Sequence, residues 1–291
     1  MKPAPFEYVA PSTIDDALEA LASSEDARLL AGGQSLVPLM NLRLARPDLV
    51  VDLNPVAELD YIEIVDESLR IGALTRHRRL ELDPIVAADA PLIAEAASNV
   101  GHASIRNRAT LGGSLAHADP SAELGAALVA LNGVVVVAGP HGRREIPASE
   151  LYEGYFTTTI ETGELLVEVQ VPRRAQRVGH AFREFAPRHG DYAVAGLAAV
   201  VTLDNSKCSS VRLAGCGLGV TPLDLTACAD VAIGAPELSD DLLRTVATEV
   251  AALVQPTSDV HASGEYRTEL AQILAVDALR AAWAYAAQEE D

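Results

Sequence analysis

Apolar and polar positions change their spacing several times along this chain, and each change predicts an element. Thr13, with Asp16 three residues on, is a helix-capping pattern. It predicts a helix to about Ser23 with Ile14, Ala17, Leu18 and Leu21 on one face. Arg28 to Ala31 predicts a short strand that Gly32-Gly33 breaks, and Ser35 would cap a helical segment from Leu36 to Arg43. Leu49 to Val51 predicts a second strand ending at Asp52, and Asn54-Pro55 marks a joint.

Past the joint, Tyr61 to Val65 and Ser68 to Ile71 alternate as a hairpin around Asp66-Glu67. Pro91 to Asn99 predicts a helix with proline in its first turn, and Arg106 to Ser114 a polar, glycine-bearing connection. Ser121 would cap a helix to Leu131, followed by a buried strand at Val134 to Val137 and a turn at Gly139 to Gly142. Val167 to Val171 predicts a further strand. A basic stretch then interrupts the chain: Arg173, Arg174, Arg177, His180, Arg183, Arg188 and His189. It predicts a linker and the first strand of a third block, either as a partner contact or as a solvated charged face. Ala193 to Leu203 and Val211 to Leu218 read as strands. Ser239 to Val254 and Glu265 to Ala287 have helical period, the last with Leu270, Ile273, Leu274, Leu279 and Trp283 along one stripe. The order of elements predicts a multi-layer α+β protein rather than one doubly wound sheet.

Composition narrows the function. The 291 residues allow about two domains, and 49% hydrophobic residues suffice for buried cores. A net charge of −19 repels phosphate backbones, so nucleic acid is excluded as the main partner. A small anion held by local backbone donors is not excluded. No apolar run reaches the length of a membrane span, and Met1 to Pro11 lacks the layout of a signal peptide, so a cytoplasmic location is expected. Cys208, Cys216 and Cys228 match no zinc or iron–sulfur spacing. They read as packed, reduced thiols, which would place any iron–sulfur cluster on another chain.

Four segments carry candidate chemistry. Ala31-Gly32-Gly33-Gln34-Ser35 lies between a strand and a helical segment, where glycines let backbone approach a ligand and free amides can hold phosphate. It lacks the third glycine and the acidic residue of the doubly wound dinucleotide fingerprint, and such a turn alone is more often a plain turn. Thr110-Leu111-Gly112-Gly113-Ser114 is a second glycine pair; the two could form halves of one pyrophosphate cradle, or be unrelated turns. His117-Ala118-Asp119-Pro120-Ser121-Ala122-Glu123 puts Glu123 in a first helical turn, as dipole compensation or as an acceptor for ribose hydroxyls. His189-Gly190-Asp191-Tyr192-Ala193 carries a tyrosine that could lie against a flat ring or simply pack.

In this order the segments resemble the FAD-binding subunit of the xanthine dehydrogenase and carbon monoxide dehydrogenase family of molybdenum hydroxylases. The matching pieces are Ala31 to Ser35, Arg106-Asn107 with Thr110 to Ser114, His117 to Glu123, and Gly190 to Ala193. The resemblance covers almost the whole chain. It implies a two-part FAD-binding domain of the vanillyl-alcohol-oxidase/PCMH type, residues 1–55 and 56–175, then a C-terminal antiparallel sheet packed with helices, residues 176–291.

The resemblance also implies roles. Leu30, Ala31, Gly32, Gly33, Gln34, Ser35 and Leu36 would wrap the FAD pyrophosphate, and Thr110, Gly112, Gly113, Ser114 and His117 would complete the cradle. Asp119 and Glu123 would hold polar groups of the cofactor; the family more often has Asp where Glu123 stands, so that contact could be longer or water-mediated. Tyr192 would lie near the isoalloxazine ring, and Arg183 matches a position from which a basic residue reaches the flavin. FAD would be non-covalent, with no catalytic or metal-ligating side chain on this chain. The molybdenum cofactor would sit on a large partner subunit and 2Fe–2S clusters on a small one. Electrons would leave through FAD to NAD, a quinone, a cytochrome or oxygen. The rival classes are a self-contained FAD oxidase or dehydrogenase and a structural subunit without flavin.

Overall fold

The computed structural model describes residues 1–288. Local signals set most of its elements. The Thr13 hydroxyl accepts the Asp16 amide at 3.1 Å and starts the helix Ile14–Ala22, which buries Ile14 and Ala17. This helix covers a small parallel sheet in which Leu49–Asp52 lies between Glu7–Val9 and Arg28–Leu30.

The second sheet is antiparallel and five-stranded, in the order Ile62–Val65, Ser68–Gly72, Leu165–Pro172, Val134–Gly139, Gly142–Pro147. The hairpin expected around Asp66-Glu67 forms, with Asp66 at φ 53°. Alternation sends Val136, Ala138, Leu165 and Val167 toward Val51, Leu53 and Ala17 of the first unit, whereas Val135, Val137, Val169 and Val171 face a larger core. That core is roofed by the helices Pro91–Asn99, Leu111–His117 and Glu123–Ala130.

The helix Glu123–Ala130 is buried at every position. A helix apolar on all sides needs neighbours all round, and the third sheet supplies the other side through Ala198, Ala214 and Cys216. The carbonyls at its C-terminal end accept the Arg212 guanidinium, Ala130 at 2.9 Å and Val129 at 3.2 Å, a cation placed where the helix dipole favours one.

The third sheet is antiparallel, Val178–Phe185, Ala195–Asp204, Lys207–Cys216 and Leu223–Asp224 in spatial order. The helices Asp240–Leu253 and Gly264–Gln288 cover it. The apolar stripe expected on the last helix is partly wrong. Leu270, Leu274 and Leu279 are buried, but Ile273 is 58% exposed. The buried face is instead largely alanine: Ala271, Ala275, Ala278, Ala282 and Ala286. Small side chains let the helix approach the strand Val178–Phe185 at backbone distance. A Cβ on Gly179 would stand 1.8 Å from the Ala282 carbonyl oxygen.

Three boundaries differ for physical reasons. The connection expected from Arg106 to Ser114 is shorter: it leaves the helix Ala103–Arg106 and enters the helix Leu111–His117. Ser121 caps nothing: the helix begins at Glu123, and Asp119 Oδ1 accepts the Ser121 amide at 2.9 Å instead. Ser35 occupies a helix start, but its side chain makes no capping bond, and that helix ends at Asn41 rather than Arg43.

Candidate functional site

The two glycine pairs meet. Gly32 has no room for a side chain: a Cβ would lie 2.3 Å from the Arg108 carbonyl oxygen and 2.7 Å from Ala109 Cα. A Cβ on Gly113 would lie 2.7 Å from Thr110 Oγ1 and 3.6 Å from Ala31 Cβ. A loop of the first unit and a helix connection of the second are thereby brought into backbone contact. Gly112 serves another purpose, since its amide donates to the Ala73 carbonyl at 2.9 Å and its face rests on Ala73.

The donors on this seam are arranged for an anion. Gly33 takes φ 72°, which turns the chain sharply between Leu30 and Leu36. Among the described residues, the amides of Gly32, Gly33, Gln34 and Ser35 donate no backbone or side-chain hydrogen bond. Gln34 instead folds its side chain back to the Gly32 carbonyl at 3.0 Å. Four consecutive free amides on a half-buried turn form a concavity of positive dipole ends, which suits a phosphate. The opposite wall is the start of the helix Leu111–His117, where Thr110 Oγ1 accepts the Gly113 amide at 3.2 Å.

A second layer holds the seam, and its residues carry no sequence signal of their own. Asn54 donates to the Ala31 carbonyl at 3.0 Å. Arg76 donates to the Asn54 side-chain oxygen and to the Arg108 carbonyl, both at 2.5 Å, so one guanidinium bridges the two loops. A depression of about 320 Å³ lined by Asn54, Asp60, Leu74 and Arg76 opens beside this bridge. His77, buried, donates its Nε2 hydrogen to the Thr110 carbonyl at 3.0 Å, while its backbone amide binds the Ala109 carbonyl. A carbonyl can only accept, so Nε2 carries a hydrogen. Burial depresses its pKa to about 4, with the charges of Arg106 and Arg76 acting in the same direction against the Thr110 bond. Arg106 is pinned to Glu81 at 2.9 Å and to the Gly101 carbonyl at 2.7 Å.

Further along, the helix Leu111–His117 ends at Ala118, φ 54°, and the His117 ring lies 5.1 Å from that of Phe156. Asp119, Glu123, Glu184 and Cys216 then gather in one place. Burial raises the Glu123 carboxyl to about 8, the charges of Glu184 and Asp119 adding to it. Burial raises Glu184 to about 7. Burial and the same acids push the Cys216 thiol well up. Tyr192 is 65% exposed; partial desolvation, then the charges of Asp119 and Glu123, raise its phenol. Gly190, φ 89°, brings the tyrosine's loop onto the second unit, where a Cβ would meet His102 Nδ1 at 2.1 Å.

Arg183 stands apart from this group. Its Nη1 donates to Glu95 at 2.9 Å and to the Phe182 carbonyl at 2.8 Å. Strand alternation instead puts Glu184, not anticipated from the sequence, beside Glu123. Other arginines of the basic stretch are also engaged within the chain: Arg173 with Asp89 at 2.7 Å, and Arg174 over the Tyr285 ring at 5.3 Å.

Residues 4–174 match the model of the FAD-binding domain in molybdopterin dehydrogenase, which is more than half of the chain. The chain belongs to this family. Residues 180–282 of this FAD-binding protein match the carbon monoxide dehydrogenase flavoprotein C-terminal domain. It is 43% identical over 272 residues to the 6-hydroxypseudooxynicotine dehydrogenase complex subunit alpha of Paenarthrobacter nicotinovorans, covering 93% of this chain and 92% of that one. It is 35% identical to the carbon monoxide dehydrogenase medium chain of Hydrogenophaga pseudoflava, covering 98% and 99%. Among solved structures, the carbon monoxide dehydrogenase of Hydrogenophaga pseudoflava that lacks the Mo-pyranopterin moiety superposes with a TM-score of 0.95 at 36% identity, over 98% of this chain and 99% of that one. The fold is therefore the two-part FAD-binding domain with the flavoprotein C-terminal domain. The family protein is an oxidoreductase subunit, the FAD-binding medium subunit of a molybdenum hydroxylase-type dehydrogenase complex. Among the described residues, no helix is long and apolar enough to cross a membrane.

Proposed function

We propose that this chain relays electrons from iron–sulfur clusters on a small partner subunit, through FAD, to an external acceptor, while a large subunit carries the molybdenum cofactor and the substrate. The observation that supports it most is the run of four free amides from Gly32 to Ser35 abutting the helix start at Thr110. FAD supplies one- and two-electron redox chemistry when bound; the chain supplies position and electrostatics. In this reading Leu30 to Leu36, with Gly113, Ser114 and His117, hold the pyrophosphate, Gly112 seats their helix on Ala73, and Thr110 and His77 keep the second wall in place. Asp119 and Glu123 hold polar groups of the cofactor, and Tyr192 bounds the ring. Glu123, holding its proton up to about pH 8, acts as a hydrogen-bond donor, where an ionised acid would only accept. Arg183 would reach the ring only by leaving Glu95. The three-part division at residues 55 and 175 belongs to the same proposal, with the cofactor along the seam.

The test is the visible spectrum of the purified chain, with the cofactor released by heat and identified by chromatography. FAD near one per chain in the wild type and its loss in Gly113→Val are expected, because that side chain enters the space beside Ala31. Wild-type protein that is colourless and takes up no added FAD would overturn the reading. Stoichiometric FAD in Gly113→Val would remove the cradle from it.

A further inference from the structure

Arg267 lies on the long C-terminal helix and is only 6% exposed. A buried guanidinium needs several acceptors, and those it has are specific. Its Nη1 donates to the Val194 carbonyl at 2.5 Å and the Gly217 carbonyl at 3.3 Å, and its Nη2 to Asp259 at 2.7 Å. Val194 follows Tyr192 by two residues on the same loop. Gly217, φ 72°, is wedged against that loop: a Cβ there would meet the Val194 carbonyl at 2.7 Å and the Ala193 carbonyl at 3.2 Å. The Gly217 amide in turn donates to the Pro120 carbonyl at 2.8 Å, inside the turn that carries Asp119 and leads to Glu123. One arginine fork thus joins the Tyr192 loop to the Gly217 turn, and through it to the acidic turn. Asp259 balances its charge and is itself fixed by the amides of His261 at 2.8 Å and Ala262 at 3.0 Å.

We propose that Arg267 is a positioning residue that locks the Tyr192 loop against the Asp119–Glu123 turn and so sets the pose of the flavin ring. The inference rests on the FAD reading above. The helix itself does not need the guanidinium, since its alanine face packs on the sheet independently. A planar fork can serve two carbonyls and a carboxylate at once; an ammonium on a flexible stem cannot hold all three in place.

The experiment uses the full chain loaded with FAD, reading the visible circular dichroism of the bound flavin and the FAD dissociation constant. Arg267→Lys, with its thermal transition and far-ultraviolet spectrum recorded, is expected to change the flavin band and weaken FAD about tenfold, the scale of one charged hydrogen bond. Tyr192→Ala should change the same band. In the Tyr192→Ala background Arg267→Lys should add less than about twofold, because residues acting through one contact are not additive. If Arg267→Lys does not fold, Asp259→Asn carries the same comparison, with a smaller change in the same band. An unchanged band and affinity in the arginine or aspartate variant beside a clear Tyr192→Ala effect would overturn the inference and leave the FAD reading standing. Full additivity of the two changes would do the same. A wild-type chain that binds no FAD would remove both.

Discussion

His77 ties the acid stability of the second cradle wall to a single proton. Its ring is buried, with Nε2 on the Thr110 carbonyl and, among the described residues, no hydrogen-bond partner at Nδ1. Protonation would bury a charge away from water, and beside Arg106 and Arg76, so the folded pKa is about 4 against 6.5 for an exposed histidine. Between these values the unfolded chain binds a proton that the folded chain does not. The stability from this group is complete above pH 6.5 and lost as pH falls toward 4. With those two values, taking the pH from 7 to 5 removes about 2 kcal/mol at this one site. The perturbation is His77→Gln, which keeps a donor for the Thr110 carbonyl and removes the titration. The assay is urea unfolding of cofactor-free protein at pH 7 and pH 5, for wild type and variant. Other titrating groups act on both proteins and cancel in the difference. The wild type should lose about 2 kcal/mol more than His77→Gln over that interval. Equal losses in the two proteins would refute the argument, since they would mean that His77 is not kept neutral by the fold.

Other predictions follow from the same geometry. Gly32→Ala should force the Arg108 carbonyl away from the first loop, lowering stability by about 1–3 kcal/mol and weakening FAD retention, measured by thermal unfolding and by cofactor content. Thr110→Ala should cost about 1 kcal/mol through the lost cap, and Thr110→Ser should restore most of it. Glu123 has a folded pKa raised to about 8, so its stability is present below about pH 4.5 and lost as pH rises to 8. Glu123→Gln should therefore flatten the alkaline limb of the cofactor-free chain by roughly 3 kcal/mol between pH 5 and pH 8 in urea titrations. Gly179→Ala should lower the thermal midpoint sharply, because its Cβ and the Ala282 carbonyl cannot share the same space.

Features set by neighbours in sequence were legible in advance. The Thr13 cap, the Pro91 helix start and the Asp66-Glu67 hairpin each depend on a few consecutive residues, and each formed as expected. The helix Leu111–His117 was not legible, because two glycines in seven residues argue against a helix. Thr110 and the contact of Gly112 with Ala73 hold it together instead. Ile273 was misplaced because periodicity favours large apolar side chains, whereas the close approach at Gly179 requires alanines. The glycine pairs themselves could be named from the chain. Asn54, Arg76, His77 and Arg267 could not, since each acts on backbone carbonyls distant in sequence, which no residue pattern encodes.

The cradle's two walls belong to different units, and among the described residues Asn54, Arg76 and close backbone contact join them at the opening. A ligand held by both walls therefore acts as a clasp across a long loop of chain. Its departure and the loosening of the seam at the opening become one event. The residence time of the cofactor should then follow the opening rate of the joint rather than the strength of any one bond to it. Loaded and empty chains should differ most in how readily proteases cut near that joint, and least in the interior of either sheet.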